Sequence, residues 1–140
     1  MGITSIVIDR PVSKVFARVS DLDRAREWAP QMGRIHLEGP IREGATFLEE
    51  RKVLGRTFTA KWAITRYEPD RALGLSLSFG PLRGRFAYIF EPAGSGTQLT
   101  QMTEIGFAGP LDILSPLVAG EAQKEEDVEL VRLKEVLERG

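Results

Sequence analysis

The chain contains no cysteine among its 140 residues, and His36 is its only histidine. The absence of cysteine excludes disulfides, thiol nucleophiles, iron–sulfur clusters and cysteine-ligated zinc. A single histidine excludes a histidine-rich metal site, and a Ser-His-Asp triad is possible only if His36 supplies the base. We therefore expect neither a metal nor any other cofactor.

An excess of one charge and a long apolar run are also missing. The chain has 19 Lys and Arg against 20 Asp and Glu, a net charge of −1, whereas proteins that bind nucleic acid usually carry a basic excess. No apolar stretch approaches the about 18 residues that cross a membrane, and Asp9 and Arg10 interrupt the place of a signal-peptide core. We expect a cytoplasmic protein with no nucleic-acid partner and no transmembrane segment.

The order of the predicted elements is a strand, two short helices, about six strands and a long helix. No linker or internal repeat divides the chain, which indicates a single domain over residues 1–140. A strand at 3–8 ends before Pro11, a helix begins there, and Asp21 can cap a second helix at 22–28. Alternating apolar residues predict strands at 34–38, 47–53, 57–67, 73–79, around 86–90 and at 97–107. A helix at 117–138 follows the loop opened by Gly109-Pro110.

Five short motifs follow one another along the chain: D-R-P-V-S-K-V-F at 9–16, D-L-D-R-A-R-E-W at 21–28, Y-E-P-D-R-A-L at 67–73, F-E-P-A-G-S-G-T at 90–97 and the Leu-rich end at 130–138. In this order they resemble the motifs of the START-like (SRPBCC) superfamily, the polyketide cyclase/dehydrase and Bet v 1-like group. The resemblance implies an α+β helix-grip fold, in which a curved seven-stranded antiparallel sheet surrounds a long C-terminal helix. It implies a cavity between the two but no particular chemistry, because one fold serves many functions.

The face of the long helix that points towards the sheet carries small side chains in its first half and large ones in its second half. At 100° per residue, Ala119, Ala122 and Glu126 share a face with three leucines, Leu130, Leu133 and Leu137. Together with the adjacent Gly120, the small residues predict a cavity under the first half of the helix and solid packing under the second. The predicted ligand-binding residues are Trp28, Phe47, Trp62, Ile64, Leu75, Leu77, Phe86, Tyr88, Gln101, Thr103, Leu114, Ala119, Ala122 and Glu126.

Polar residues at inward positions are the candidates for chemistry. Leu99, Ile105 and Phe107 mark the inner face of the last strand, so the same alternation places Gln101 and Thr103 inside and Glu104 outside. Glu126 lies either in a buried stripe, where its carboxylate needs a partner or a raised pKa, or at the edge of that stripe in water. The run 121–129, with five acidic residues, is typical of a solvated helix face.

Two registers are possible for the strand at 47–53. If Phe47 faces inward, Glu49 and Arg51 face inward too, and Arg51 could pair with Glu126 or bind a ligand carboxylate. If Leu48 faces inward, both lie in solvent. His36 alternates with Ile35 and Leu37 and is expected outside. Glu126, Tyr88, Glu49 and Arg51 are therefore the catalytic candidates.

Three functions fit these patterns. The first is binding of a small hydrophobic molecule (a lipid, an aromatic polyketide or an isoprenoid) by a monomer or homodimer. The second is a cyclase, dehydratase or aromatase acting on such a molecule. The third is an interaction module without a functional pocket, which requires an exposed apolar patch. The segment 107–118 is the candidate patch, although we interpret it as a lid over the cavity.

Overall fold

Seven antiparallel strands form one sheet in a computed structural model that describes residues 2–53 and 55–139. The sheet order is β1-β7-β6-β5-β4-β3-β2. The strands are β1 (Gly2–Ile8), β2 (Arg34–His36), β3 (Thr46–Val53), β4 (Arg56–Glu68), β5 (Ala72–Phe79), β6 (Leu82–Ala93) and β7 (Gly96–Phe107). From β2 to β7, strands that follow one another in sequence pair antiparallel; the loop 37–45 joins β2 to β3, short turns join the others, and β1 pairs with the other edge of β7.

The helices are α1 (Val12–Val19) and the long α2 (Ser115–Arg139), with 3₁₀ helices at Leu22–Glu27 and Gly109–Leu114. The α+β helix-grip architecture predicted from the sequence is confirmed, with two short helices after β1. Two details were wrong. The Asp21 side chain makes no capping hydrogen bond, and the segment after Gly109 is a 3₁₀ helix rather than an open loop. No helix in the described part of the chain combines the length and apolar character needed to cross a membrane.

A β-bulge bends the sheet in the middle of β4. The pairing of β4 with β5 shifts register between Ile64 and Arg66, which leaves Thr65 as the extra residue. Bulges bend a strand and increase its twist. Gly74 lies opposite this point, where an added side chain would crowd Thr65 and Arg66. The bend therefore depends on both strands and helps the sheet to curve around α2.

The second half of α2 is packed solidly against the sheet. Leu130 and Leu133 are 1% and 0% exposed, and α2 packs mainly against β1 and β7. Burying apolar side chains of this size supplies most of the energy that attaches a helix to its sheet. The first half of the helix differs, since Ala119 and Ala122 are only half-buried and Gly120 is exposed. The expected contribution of Gly120 to the space under the helix was therefore wrong, and the small residues on that face are the two alanines.

Candidate functional site

A cavity of about 290 Å³ lies between the sheet and the first half of α2. Strands β3 to β7 supply one wall, α2 supplies the other, and two residues after the first 3₁₀ helix complete it. The lining residues are Gln31, Met32, Arg51, Trp62, Leu75, Leu77, Leu82, Phe86, Tyr88, Gln101, Ile105, Val118, Glu121, Ala122, Glu125, Glu126 and Glu129. Leucine packing closes the core further along the helix, so the cavity lies where Ala122 leaves room.

The sheet wall of the cavity is apolar and rich in aromatic rings. Trp62 and Phe86 lie in contact, with ring centroids 5.4 Å apart. Phe47 stacks against Trp62 at 5.9 Å with nearly parallel rings. Aromatic contacts of this kind hold rings in one orientation. The wall is therefore a fixed apolar surface suited to the flat face of a ring.

Glu49 is the most heavily hydrogen-bonded side chain near the cavity. It is 1% exposed. Its Oε2 accepts hydrogen bonds from the Gly33 amide at 2.6 Å and from Nε and Nη2 of Arg51 at 3.0 and 2.8 Å. Its Oε1 accepts one from Trp62 Nε1 at 2.9 Å. The carboxylate thus connects β3, β4 and the segment before β2, and it holds the indole of Trp62 in the cavity wall.

The contacts of Glu49 decide the register that the sequence left open. Phe47 and Glu49 are buried, whereas Leu48 is 46% exposed. Arg51 lines the cavity, but it does not pair with Glu126, as the sequence had allowed. Its Nε and Nη2 both donate to Glu49 Oε2, so one of the two guanidinium edges that could bind a ligand carboxylate is already used within the protein.

Glu126 projects from α2 into the buried side of the cavity. It is 6% exposed, and its Oε1 accepts a hydrogen bond of 2.8 Å from the Thr103 hydroxyl. Burial raises the pKa of Glu126, the bond from Thr103 lowers it in part, and the nearby Asp127 and Glu125 raise it further. The interpretation in which Glu126 lies at the edge of the stripe in water was wrong.

Glu129, one turn further along α2, also lines the cavity and is half-buried. Burial raises its pKa to about 7, Glu125 and Glu126 add to the rise, and Arg51 opposes it. Glu129 was not among the predicted site residues, because the acidic run 121–129 is typical of a solvated helix face. The available signal was the helical spacing of Ala122, Glu126 and Glu129, which places all three on one side of α2.

We expect Glu129→Gln to stabilise the protein more at pH 8 than at pH 5. The pKa of Glu129 is about 7 in the folded protein against an ordinary value of 4.5. Between these values the folded chain holds a proton that the unfolded chain has released, so this group's contribution to stability falls as the pH rises. Because glutamine does not ionise, the variant avoids this loss of stability. Its free energy of unfolding at pH 8 should exceed that of the unmodified protein by on the order of 1–2 kcal/mol.

Urea unfolding at the two pH values measures this effect. Glu135→Gln is the matched control, because Glu135 is exposed on the same helix and pairs only with Arg139. An equal gain at both pH values would show that Glu129 titrates normally.

Tyr88 and Gln101 form a second polar pair in the cavity wall. They are 8% and 4% exposed, and Gln101 Nε2 donates to the Tyr88 hydroxyl at 3.2 Å. Burial raises the pKa of Tyr88, and the charges of Glu129 and Glu126 raise it further. Tyr88 is therefore a neutral phenol, which can donate a hydrogen bond but does not act as a base. The alternation in β7 correctly predicted that Gln101 and Thr103 are buried and that Glu104 is exposed.

Six of the predicted ligand-binding residues lie outside the cavity lining. Trp28, Phe47 and Ile64 are buried in the main core, and Thr103 reaches the cavity only through its bond to Glu126. Ala119 is half-buried, one turn before Ala122. Leu114 is 42% exposed. The other eight, together with Arg51, line the cavity. They are Trp62, Leu75, Leu77, Phe86, Tyr88, Gln101, Ala122 and Glu126.

The segment expected to form a lid turns its apolar side chains outward. Leu111, Ile113, Leu114 and Leu117 are 43%, 83%, 42% and 72% exposed. The segment is held at both ends, since the Ala108 amide donates to the Pro81 carbonyl at 2.8 Å and the Phe107 amide donates to Ser115 Oγ at 2.9 Å. Of residues 107–118, Val118 is the one that lines the cavity. These four residues are the exposed apolar side chains on which the third interpretation, an interaction module, depends.

His36 plays no part in this cavity. It lies on the edge strand β2, its side chain is 47% exposed, and its Nε2 lies 3.5 Å from Glu50. Among the residues that the structure describes, no three acidic, histidine or cysteine side chains are placed to bind a metal ion. The polar groups that the described residues present to the cavity are the carboxyl, hydroxyl, amide and guanidinium groups described above.

A second space of about 270 Å³ adjoins the cavity near the ends of β4 and β5. It is lined by Glu49, Arg51, Phe58, Ala60, Leu77, Phe79 and Leu82. Three of these residues, Arg51, Leu77 and Leu82, also line the first space. The two spaces therefore share part of their walls.

A comparison with protein families identifies one match that covers most of the chain. The profile described as "Polyketide cyclase / dehydrase and lipid transport" matches residues 4–138. A search of curated proteins finds no match.

Many solved structures share this fold. Three of them, at 14–19% sequence identity, are Ara h 8.0201, MLL2253 and DynU16. Ara h 8.0201 has a TM-score of 0.75 at 14% identity, with 99% of this chain and 100% of that chain covered. MLL2253 from Mesorhizobium loti has a TM-score of 0.77 at 15% identity, with 99% of this chain and 96% of that chain covered. DynU16, a protein in the dynemicin biosynthetic locus, has a TM-score of 0.69 at 19% identity, with 97% of this chain and 46% of that chain covered. At these identities the likeness concerns the fold.

Proposed function

Because the chain belongs to the polyketide cyclase/dehydrase and lipid transport family, we propose that it binds a small hydrophobic molecule in the cavity under α2. The observation that carries this proposal is the apolar wall of Trp62, Leu75, Leu77 and Phe86 opposite the small side chain of Ala122. Cavities of about 300 Å³ with mostly apolar walls and a few polar groups are typical small-molecule sites. The ligand classes we favour are lipids, aromatic polyketides and isoprenoids.

Filling the cavity tests this proposal directly. We expect Ala122→Phe to weaken the binding of the neutral fluorescent probe N-phenyl-1-naphthylamine at least about tenfold, because the added ring occupies the space opposite Trp62. Fluorescence titration of the probe measures the affinity. Ala17→Phe, on the exposed side of α1, is the matched control and should bind like the unmodified protein.

Two results would contradict binding in this cavity. The first is an unmodified protein that takes up none of the probe. The second is an Ala122→Phe variant that binds as tightly as the control. Circular dichroism and urea unfolding of both variants distinguish a filled cavity from a misfolded chain.

A cyclase, dehydratase or aromatase is the second candidate function. It is favoured by the presence of Tyr88, Glu126 and Glu129 in one cavity, since acid–base catalysis needs such groups to converge on a bound substrate. Glu49 is unsuitable for this role, because both of its oxygens already accept hydrogen bonds. A carboxyl with a pKa of about 7, as in Glu129, is able both to donate and to accept a proton near neutral pH.

A further inference from the structure

The two walls of the cavity differ in charge. The helix wall carries four carboxyl groups, those of Glu121, Glu125, Glu126 and Glu129. Among the described residues of the lining, Arg51 is the single basic side chain, and it is paired with Glu49 through two hydrogen bonds. The other described residues of the sheet wall are uncharged. A ligand in the cavity therefore lies between an apolar aromatic surface and a surface of excess negative charge.

Hydrogen-bond acceptors without a donor accompany this charge. Within residues 2–53 and 55–139, no hydrogen bond reaches Oε2 of Glu126 or Oε1 of Gln101. Both residues are more than nine-tenths buried and both line the cavity. Both oxygens remain accessible from the cavity, so a ligand that donates hydrogen bonds at this point can pair with acceptors that the protein leaves free. Both free groups are acceptors, so the ligand group that matches them is a hydrogen-bond donor.

The aromatic rings facing the carboxylates add a further preference. Trp62, Phe86 and Tyr88 line the cavity opposite Glu126 and Glu129. The face of an aromatic ring attracts a cation, and tryptophan does so most strongly. A positive group placed between these rings and α2 is thus attracted from both sides, whereas a carboxylate is repelled by the helix wall and meets an Arg51 whose charge is already paired with Glu49.

On the basis of the proposed binding function, we infer that the ligand is an amine: an apolar, ring-bearing molecule whose protonated nitrogen lies against Glu126 and Glu129. The ring system packs on Trp62 and Phe86. The ammonium donates hydrogen bonds to Glu126 Oε2 and to Gln101 Oε1, the two acceptors that lack a donor. Molecules of the same size that carry a carboxylate are disfavoured.

Three probes with one ring system and different charges test this inference. They are 2-naphthylmethylamine (cationic), 2-methylnaphthalene (neutral) and 2-naphthoate (anionic), each titrated at pH 8 as a competitor of N-phenyl-1-naphthylamine. We expect the amine to bind at least about tenfold more tightly than the neutral probe, because a desolvated charge pair adds binding energy beyond the apolar contact. The naphthoate should bind more weakly than the neutral probe.

The double variant Glu126→Gln/Glu129→Gln assigns the preference to these two carboxyls. It keeps their size and removes their charge, so the ratio of amine to neutral affinity should fall at least about tenfold. Glu135→Gln, exposed on the same helix, should keep the ratio of the unmodified protein. A fall of the same size in both variants would show that the general charge of α2, and not the cavity, sets the preference, and would overturn the inference.

The results also separate this inference from the binding function on which it rests. If the neutral probe binds and the amine has no advantage, the amine inference is wrong while the hydrophobic cavity stands. If no neutral probe binds, the binding function fails, and the amine inference fails with it. Tighter binding of the naphthoate than of the amine would reverse the assigned charge preference.

Discussion

Replacing Glu49 with alanine is expected to lower the free energy of unfolding by about 3–5 kcal/mol, a large share of the stability of a chain of this size. The substitution leaves two buried donors without an acceptor, the Gly33 amide and Trp62 Nε1. It also leaves Arg51 without its partner. Each unsatisfied buried donor costs about 1–3 kcal/mol, and the two are lost together, whereas Arg51 is 40% exposed and loses mainly its charge partner. Urea unfolding monitored by circular dichroism measures the change.

Glu50→Ala is the natural control for this experiment. Glu50 is the next residue on β3, but it is exposed and only approaches His36, so its loss should cost less than about 1 kcal/mol. Glu49→Gln should fall between the two, because an amide oxygen still accepts from Trp62 or Gly33 but carries no charge for Arg51. If Glu49→Ala and Glu50→Ala were equally stable, the buried network would contribute nothing to folding.

Leu133→Ala is expected to cost about 3–4 kcal/mol. Leu133 is 0% exposed in the solidly packed half of α2. Removing three carbon atoms there loses their burial and leaves a cavity that the surrounding side chains fill only partly. The same substitution at Leu117, which is 72% exposed on the same helix, should change stability by less than about 1 kcal/mol.

The comparison of these two leucines tests the division of α2 into two functional halves. Thermal and urea unfolding of both variants give the difference directly. A Leu133→Ala variant as stable as Leu117→Ala would mean that the second half of the helix is loosely packed. A large loss at Leu117 would mean that the exposed segment is covered in solution by a partner or a second copy.

The fold could be predicted largely because several local patterns agree with it. Alternation in β4 to β7 and the leucine stripe of α2 each specify a buried face without reference to the rest of the chain. Burial of Gln101 and Thr103 followed from the neighbouring apolar residues of β7. These assignments depend on residues close in sequence, and such information is present in a single chain.

The register of β3 could not be predicted for the opposite reason. Phe47 and Leu48 are both apolar, so local alternation allows either face to be buried. The deciding contacts come from distant segments, since Glu49 is bonded to Gly33 before β2 and to Trp62 on β4. No pattern within β3 contains those partners. A charged residue that is buried because of a distant donor therefore resembles a surface residue in the sequence.

The positions of the acidic residues of α2 could not be predicted from the sequence for a related reason. A helical projection places Glu121 and Glu125 outside the apolar stripe and Glu129 at its margin beside Ala122, and residues at such positions face water when the stripe is fully packed. Here the stripe narrows at Ala122, and the residues beside it line the space that results. Whether such residues face water or a cavity depends on the distance between helix and sheet. That distance is set by the curvature of strands far away in sequence.

The division of α2 also bears on how such a protein can change during evolution. The residues that attach the helix to the sheet, Leu130 and Leu133, are separate from the residues that line the cavity, Ala122 to Glu129. Mutations in the first half can therefore alter ligand preference with little loss of stability, and selection can act on the two properties independently. Among descendants of one ancestor, we would expect ligand choice to diverge at positions 118–129 while the helix remains anchored at the same leucines.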